Sequence, residues 1–309
     1  MAKFDIEISE VGPRDGLQSI STIMPTADKL RWIDALAAAG IPEIEVGSFV
    51  PAKVLPQLAD TAEVARYAKE IAGLSIAVLV PNLRGAQNAI EVGPTKMSIP
   101  FSVSETHSVR NVKRTHQQML EEVKRIAELL KTLPQGQRPK FEGGLATAFG
   151  CTIEGAISED KVVELAVALM EAGCDEVGLS DTTGSGNPAQ VKRLVKKVWA
   201  AVGKENLTGI HLHNTRGQGL ANALAAVEVG ITTVDSSMGG IGGCPAAPGA
   251  SGNIVTEDLV FMLEAMGLKT GIDFERMFEA RKILASLLPN EPLYGFTPDA
   301  GVPKGFQRA

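Results

Sequence analysis

Cysteine is scarce in this chain: Cys151, Cys174 and Cys244 are the only three among 309 residues, with no paired framework and no Cys-x-x-Cys step. A disulfide-stapled fold and a cysteine-built zinc site are thereby excluded, and reduced thiols in a cytoplasm are expected. Long hydrophobic runs are also missing. No apolar stretch approaches the ~20 residues of a membrane span, and residues 1–3 run directly into a strand-like segment, so no signal peptide is expected. Neither Gly-x-x-x-x-Gly-Lys-Ser nor a helix-opening Gly-x-Gly-x-x-Gly follows the first strand, which argues against a phosphate-cradling nucleotide fold. Positive charge is not in excess. The net charge of −6 speaks against nucleic acid or an anionic membrane as partner, while a small anionic substrate remains compatible.

What the chain has is enough apolar material, 44% of its residues, to bury a large core at a length that α/β barrels fill as one domain. A single catalytic domain over residues 1–309 is expected. Short β-rich runs at 5–11, 43–46, 74–80, 96–101, 141–146, 176–179, 209–213 and 232–236 make eight candidate strands. Amphipathic stretches at 27–39, 61–71, 115–130, 159–172, 188–201 and 219–229 lie between them, several stopping on glycine. Strand and helix in alternation predict a parallel sheet, and eight units close more naturally into a (β/α)8 barrel than into the doubly wound alternative. Stretches at 256–266 and 274–287 read as additional C-terminal helices. The barrel occupies about 5–290, and the tail 289–309 is expected to be irregular.

Three segments carry candidate chemistry. Arg14-Asp15, pinned between turn residues at the end of the first strand, sits where the catalytic loops of a barrel begin, although such pairs are also ordinary ion pairs of surface loops. His211-Leu212-His213 puts two of the four histidines on one face of a strand, either as a hydrogen-bonded pair or as a ready chelate for a metal. After the eighth strand, Gly239-Gly240-Ile241-Gly242-Gly243-Cys244-Pro245 delivers a thiol on a glycine-rich loop. A reactive role is expected for Cys244 and plain packing for Cys151 and Cys174.

Together with Ser48-Phe49-Val50 and the closing Gly249-Ala250-Ser251-Gly252-Asn253, these segments resemble the 3-hydroxy-3-methylglutaryl-CoA lyase family of metal-dependent TIM-barrel lyases and synthases. The resemblance spans roughly residues 5–290. It implies that Asp15, His211, His213 and Asn253 bind a divalent cation, Mg²⁺ or Mn²⁺ by preference, that Arg14 steadies an enolate, and that Cys244 closes over the site. Glu45 and Asp181 match further active-site acids, and His211 and Cys244 are the two candidates for proton transfer. The implied reaction is retro-Claisen cleavage of a 3-hydroxyacyl-CoA into acetyl-CoA and a small oxo acid or ketone, as in leucine degradation, by a cytoplasmic homodimer.

Two alternatives stand beside that reading. Isopropylmalate and homocitrate synthases are similar to the chain at the Arg-Asp-Gly start and the His-x-His strand, but the Gly-Gly-Cys-Pro loop disfavours them. The chain also departs from the lyase pattern. Val54 replaces a tryptophan, Glu142-Gly143-Gly144 replaces Arg-Gly-Tyr, and Asn214-Thr215-Arg216-Gly217 replaces Asp-Thr-Tyr-Gly. Rings lost at three points imply a wider acyl pocket and a bulkier substrate, with Arg216 offered to a second anionic group.

Overall fold

The computed structural model describes residues 4–242 and 252–309. Eight strands appear in the expected places: β1 (Glu7–Glu10), β2 (Glu43–Ser48), β3 (Ser75–Leu79), β4 (Lys96–Ser102), β5 (Lys140–Ala146), β6 (Glu176–Asp181), β7 (Gly209–Leu212) and β8 (Thr233–Ser236). Each pairs in parallel with its sequence neighbour, and β8 closes on β1 through Glu7↔Thr233 to Glu10↔Ser236. That closure excludes the doubly wound sheet and gives a (β/α)8 barrel.

The helices α1 (Thr26–Ala38), α2 (Thr61–Lys69), α3 (Leu83–Ile90), α4 (Glu105–Val112), α5 (His116–Lys131), α6 (Glu159–Ala172), α7 (Pro188–Val202), α8 (Gly219–Val229), α9 (Thr256–Ala265), α10 (Phe274–Leu287) and α11 (Thr297–Ala300) follow in order. Three of them were not expected from periodicity. In α3 the apolar stripe of Leu83, Ala86 and Ile90 spans only eight residues with a glycine inside, and Asn82 caps its start by accepting from Gly85 N. In α4 the sequence is largely polar, and Ser104 caps it through His107 N. The tail 289–309 is not irregular throughout: α11 forms because the Asp258 carboxylate accepts the N–H groups of Phe296 and Thr297. Beyond it Phe306 packs 5.4 Å from Phe261 and 5.8 Å from Phe274, centroid to centroid.

Alternation along the strands separates two interiors. Outward residues such as Ile8, Ile44, Met97, Phe141, Leu179 and Val234 are fully buried against the helix layer and form the hydrophobic core. Inward residues are polar or small, where a barrel of this kind more often stacks branched aliphatic side chains. Low in the lumen Lys96 Nζ lies 2.8 Å from Glu142, 3.5 Å from Glu43 and 3.9 Å from Glu176. Burial pushes the Lys96 ammonium towards neutrality, but the carboxylates of Glu142, Glu43 and Glu176 outweigh it and hold the charge. Burial pushes the Glu142 carboxyl up to about 7, against the pull of Lys96.

Lys96 is therefore the counter-charge of the lumen. Replacing it with methionine is predicted to leave Glu142 and Glu43 without a cation, while Glu176 keeps Lys140, and to cost about 3–5 kcal/mol. A urea titration would show this as a lower midpoint at unchanged slope, whereas a midpoint at the wild-type value would mean that the carboxyls simply take up protons.

Candidate active site

The catalytic ends of β1, β7 and β8 meet at one mouth. Past β1 the chain tightens into a π-helical turn, Gly12–Gly16, in which Val11 O accepts the N–H groups of Arg14, Asp15 and Gly16 at 3.1, 2.7 and 3.3 Å. Glycine is required at position 16, where a Cβ would lie 2.6 Å from the Ile241 side chain. The buried Glu10 carboxylate ties this turn to the loop after β8. It accepts Gly12 N at 2.9 Å, Met238 N at 2.9 Å and the Thr256 hydroxyl at 2.7 Å.

On that turn Arg14 is held from two sides. Its Nε donates to Glu45 Oε2 at 2.6 Å, and a terminal nitrogen lies 2.5 Å from Asp15 Oδ1. Gln18 also donates to Asp15 Oδ1, at 2.7 Å, which leaves Oδ2 turned to the histidines and to Asn253, whose Nδ2 donates to it at 2.8 Å. His211 on β7 and His213 just beyond it converge, with their Nε2 atoms 3.0 Å apart and 3.9 and 3.7 Å from Asp15 Oδ2. Asp235 on β8 receives His211 Nδ1 at 3.0 Å.

This donor set fits a divalent cation. The ligand atoms of Asp15, His211 and His213 lie within 4.8 Å of one another. The two Nε2 atoms and Asp15 Oδ2 are close enough for one ion to meet all three. The buried Asn253 Oδ1 has no hydrogen-bond partner among the described residues, as a fourth ligand atom requires.

A family model described as HMGL-like matches residues 5–284. The chain belongs to the HMGL-like family. It is 40% identical to the hydroxymethylglutaryl-CoA lyase of Bacillus subtilis (strain 168), over 90% of this chain and 91% of that protein. It is also 40% identical to the mitochondrial hydroxymethylglutaryl-CoA lyase of Gallus gallus, over 92% of this chain and 93% of that one. Among solved structures, an HMG-CoA lyase from Acinetobacter baumannii in complex with coenzyme A and 3-methylmalate superposes with a TM-score of 0.91. The two chains are 40% identical, with 100% of this chain and 99% of that chain covered.

Within this HMGL-like site, five of the expected residues, Arg14, Asp15, His211, His213 and Asn253, form one connected cluster, and Glu45 joins it through Arg14. Asp181, at the end of β6, stands apart. Its two oxygens accept Ser185 N and Gly186 N, both at 2.9 Å, so it braces its own turn, and among the described residues it has no hydrogen bond to the cluster. Cys244 lies outside the described residues. Cys151 and Cys174 are buried, as packing residues should be.

Two residues were missed in the sequence. Asp235 carries a signal in retrospect, an acid at the inward position of β8 that is the register partner of His211. For Glu10, its place at the end of β1 did not announce three hydrogen bonds. Of the departures from the lyase pattern, Val54 is 66% exposed on its loop and Arg216 donates to Thr183 O and Gly184 O at 2.9 and 3.0 Å. Gly144 faces the lumen, where a Cβ would meet only Ile99 O at 3.7 Å and Glu142 Oε1 at 4.0 Å.

The electrostatics follow from burial set against pairing. Burial raises the Asp15 carboxyl, but Arg14 and the two neighbouring imidazoles drive it well below the carboxylate range. Burial lowers His211, and the hydrogen bond and charge of Asp235 more than reverse this. Burial raises Glu45 despite Arg14.

Burial also pushes Glu10 from the ordinary 4.5 up to about 8, against its hydrogen bonds from Thr256, Met238 and Gly12. The folded protein thus holds this proton more tightly than the unfolded chain. The stability it contributes is complete below 4.5 and is lost as pH rises to about 8. Glu10→Gln is predicted to flatten the decline of melting temperature across that window relative to wild type. Parallel melting profiles would show instead that the three donors keep Glu10 ionised.

Proposed function

We propose that this chain is a divalent-metal-dependent carbon–carbon lyase of the hydroxymethylglutaryl-CoA lyase type, cleaving a 3-hydroxyacyl-CoA into acetyl-CoA and a small oxo acid or ketone. The observation that carries the reading is the convergence of Asp15 Oδ2 with the Nε2 atoms of His211 and His213 beside a guanidinium held by Glu45. Similarity to named lyases over nine-tenths of the chain supports it, as does the coenzyme A bound to the Acinetobacter baumannii relative.

Asp15, His211, His213 and Asn253 would hold the cation, Mg²⁺ or Mn²⁺ from their mixed oxygen and imidazole donors. Bound there, it supplies Lewis acidity to the substrate oxygens and fixes their orientation. Cleavage removes the proton of the 3-hydroxyl, and the electron pair of the bond between the α carbon and the carbinol carbon moves towards the thioester oxygen. Of the five guanidinium N–H groups, Arg14 commits its Nε–H and at least one terminal N–H to Glu45 and Asp15, and the rest are offered to that developing enolate oxygen. The α carbon then takes a proton, so the reaction neither consumes nor releases one. Cys244 is the group assigned to this proton traffic, because His211 commits Nδ1 to Asp235 and would give Nε2 to the cation. We take the working enzyme as a cytoplasmic homodimer of single-domain barrels, acting in leucine degradation.

A second reading, a bulkier acyl group, is favoured by the open space at Gly144, whereas the commitment of Arg216 to two carbonyls disfavours an added anionic subsite.

With added Mg²⁺ or Mn²⁺, acetyl-CoA is predicted to form from 3-hydroxy-3-methylglutaryl-CoA. Alanine at Asp15, His211 or His213 should lower metal content and lower turnover by about 10²-fold or more. Full turnover in metal-stripped enzyme contradicts the reading, and free thiol released from acetyl-CoA plus an oxo acid would make the chain a synthase. Specificity constants over a panel of 3-hydroxyacyl-CoA thioesters decide the acyl group.

A further inference from the structure

We propose that Asp235 is the positioning residue that fixes the His211 ring for metal binding, an inference that rests on the metal-site reading above. In the parallel pairing of β7 with β8, His211 and Asp235 are register partners, so alternation turns both side chains into the lumen at one level. There Asp235 Oδ2 lies 3.0 Å from His211 Nδ1. A carboxylate only accepts, so Nδ1 must carry the hydrogen. In the neutral ring the lone pair then falls on Nε2, the atom that faces His213 Nε2 at 3.0 Å.

The surroundings argue that Asp235 is not there for packing. Its side chain is 25% exposed, and among the described residues its only hydrogen bond is the one to His211. Its negative charge pushes the buried carboxyls of Glu45 and Glu142 up while favouring the cations of Arg14, Lys96 and His211, so charge acts in both directions and the directed contact is the one to His211. Asparagine would fill the same volume without that repulsion. It would also be free to donate to Nδ1 and so admit the wrong tautomer. His213 has no equivalent support, since its Nδ1 lacks a hydrogen-bond partner among the described residues. Among the described residues the outer nitrogen of one ring only, His211, is therefore held, and Asp235 holds it.

The test compares wild type with Asp235→Asn and Asp235→Ala. The measurements are Mn²⁺ affinity by calorimetry without substrate, imidazole ¹⁵N shifts of the metal-free enzyme at a pH where the ring is neutral, and metal-free melting temperature. The expected result is a single Nδ1–H tautomer of His211 in wild type and a mixture in both variants. Mn²⁺ affinity should fall about 10–100-fold in the variants, with no lower melting temperature for Asp235→Asn. Variants that bind Mn²⁺ within about twofold of wild type, or that keep the wild-type tautomer, overturn the proposal. His213→Ala is the control. If it leaves Mn²⁺ affinity unchanged, the metal-site reading fails with the proposal, whereas normal binding by the Asp235 variants beside a defective His213→Ala overturns the proposal alone.

Discussion

Arg14 stands between Asp15 and Glu45, with side-chain nitrogens 2.5 and 2.6 Å from their carboxylates, and all three side chains are nearly shut off from water. Two buried acids this close repel each other, and in a medium of low polarity they would take up protons unless a fixed cation lay between them. The guanidinium answers that need with a planar fork that meets a carboxylate on either edge. Without it, Asp15 would lose the charge that a metal ligand must carry, and Glu45 would be left buried and unpaired at a cost of about 3–5 kcal/mol. The turn that presents Arg14 depends in its place on Glu10, which binds the ends of β1 and β8 to the start of α9. The site is thus an electrostatic unit clamped at three points of the barrel mouth.

Such a unit needs a polar lumen, and this barrel separates its interiors accordingly. The stabilising apolar burial lies between sheet and helices, where Trp32, Phe101 and Phe141 are fully enclosed. The space inside the strands carries charge from Lys96 and Glu142 at the bottom to His211 and Asp235 near the top. Stability and chemistry draw on opposite faces of the same eight strands, which is how inward residues are free to be acidic. The burial that raises Glu45 and Glu142 is the energetic consequence of that arrangement.

Much of this was legible before any coordinates. The period-2 rule set His211 and His213 on one face because alternation is a local property of the backbone, and the eight strands declared themselves by β-branched and apolar runs. What local pattern does not encode is register across strands, and so Asp235, brought to His211 only by the pairing of β7 with β8, was invisible. Helix α4 escaped for a related reason: its residues are mostly polar, and its stability comes from the Ser104 cap and from contacts that a hydrophobic stripe does not report. Asp181 was matched by resemblance to a family acid, which did not reveal that its oxygens hold the Ser185 and Gly186 amides.

The central claim, that the mouth of the barrel is built to hold a divalent ion, is tested most directly by anomalous scattering from crystals soaked in Mn²⁺. The account predicts one strong peak about 2.0–2.3 Å from His211 Nε2, His213 Nε2 and Asp15 Oδ2, with the Asn253 amide oxygen turned towards it. A peak elsewhere on the protein, with the two imidazoles still in contact and no density between them and Asp15, would contradict it.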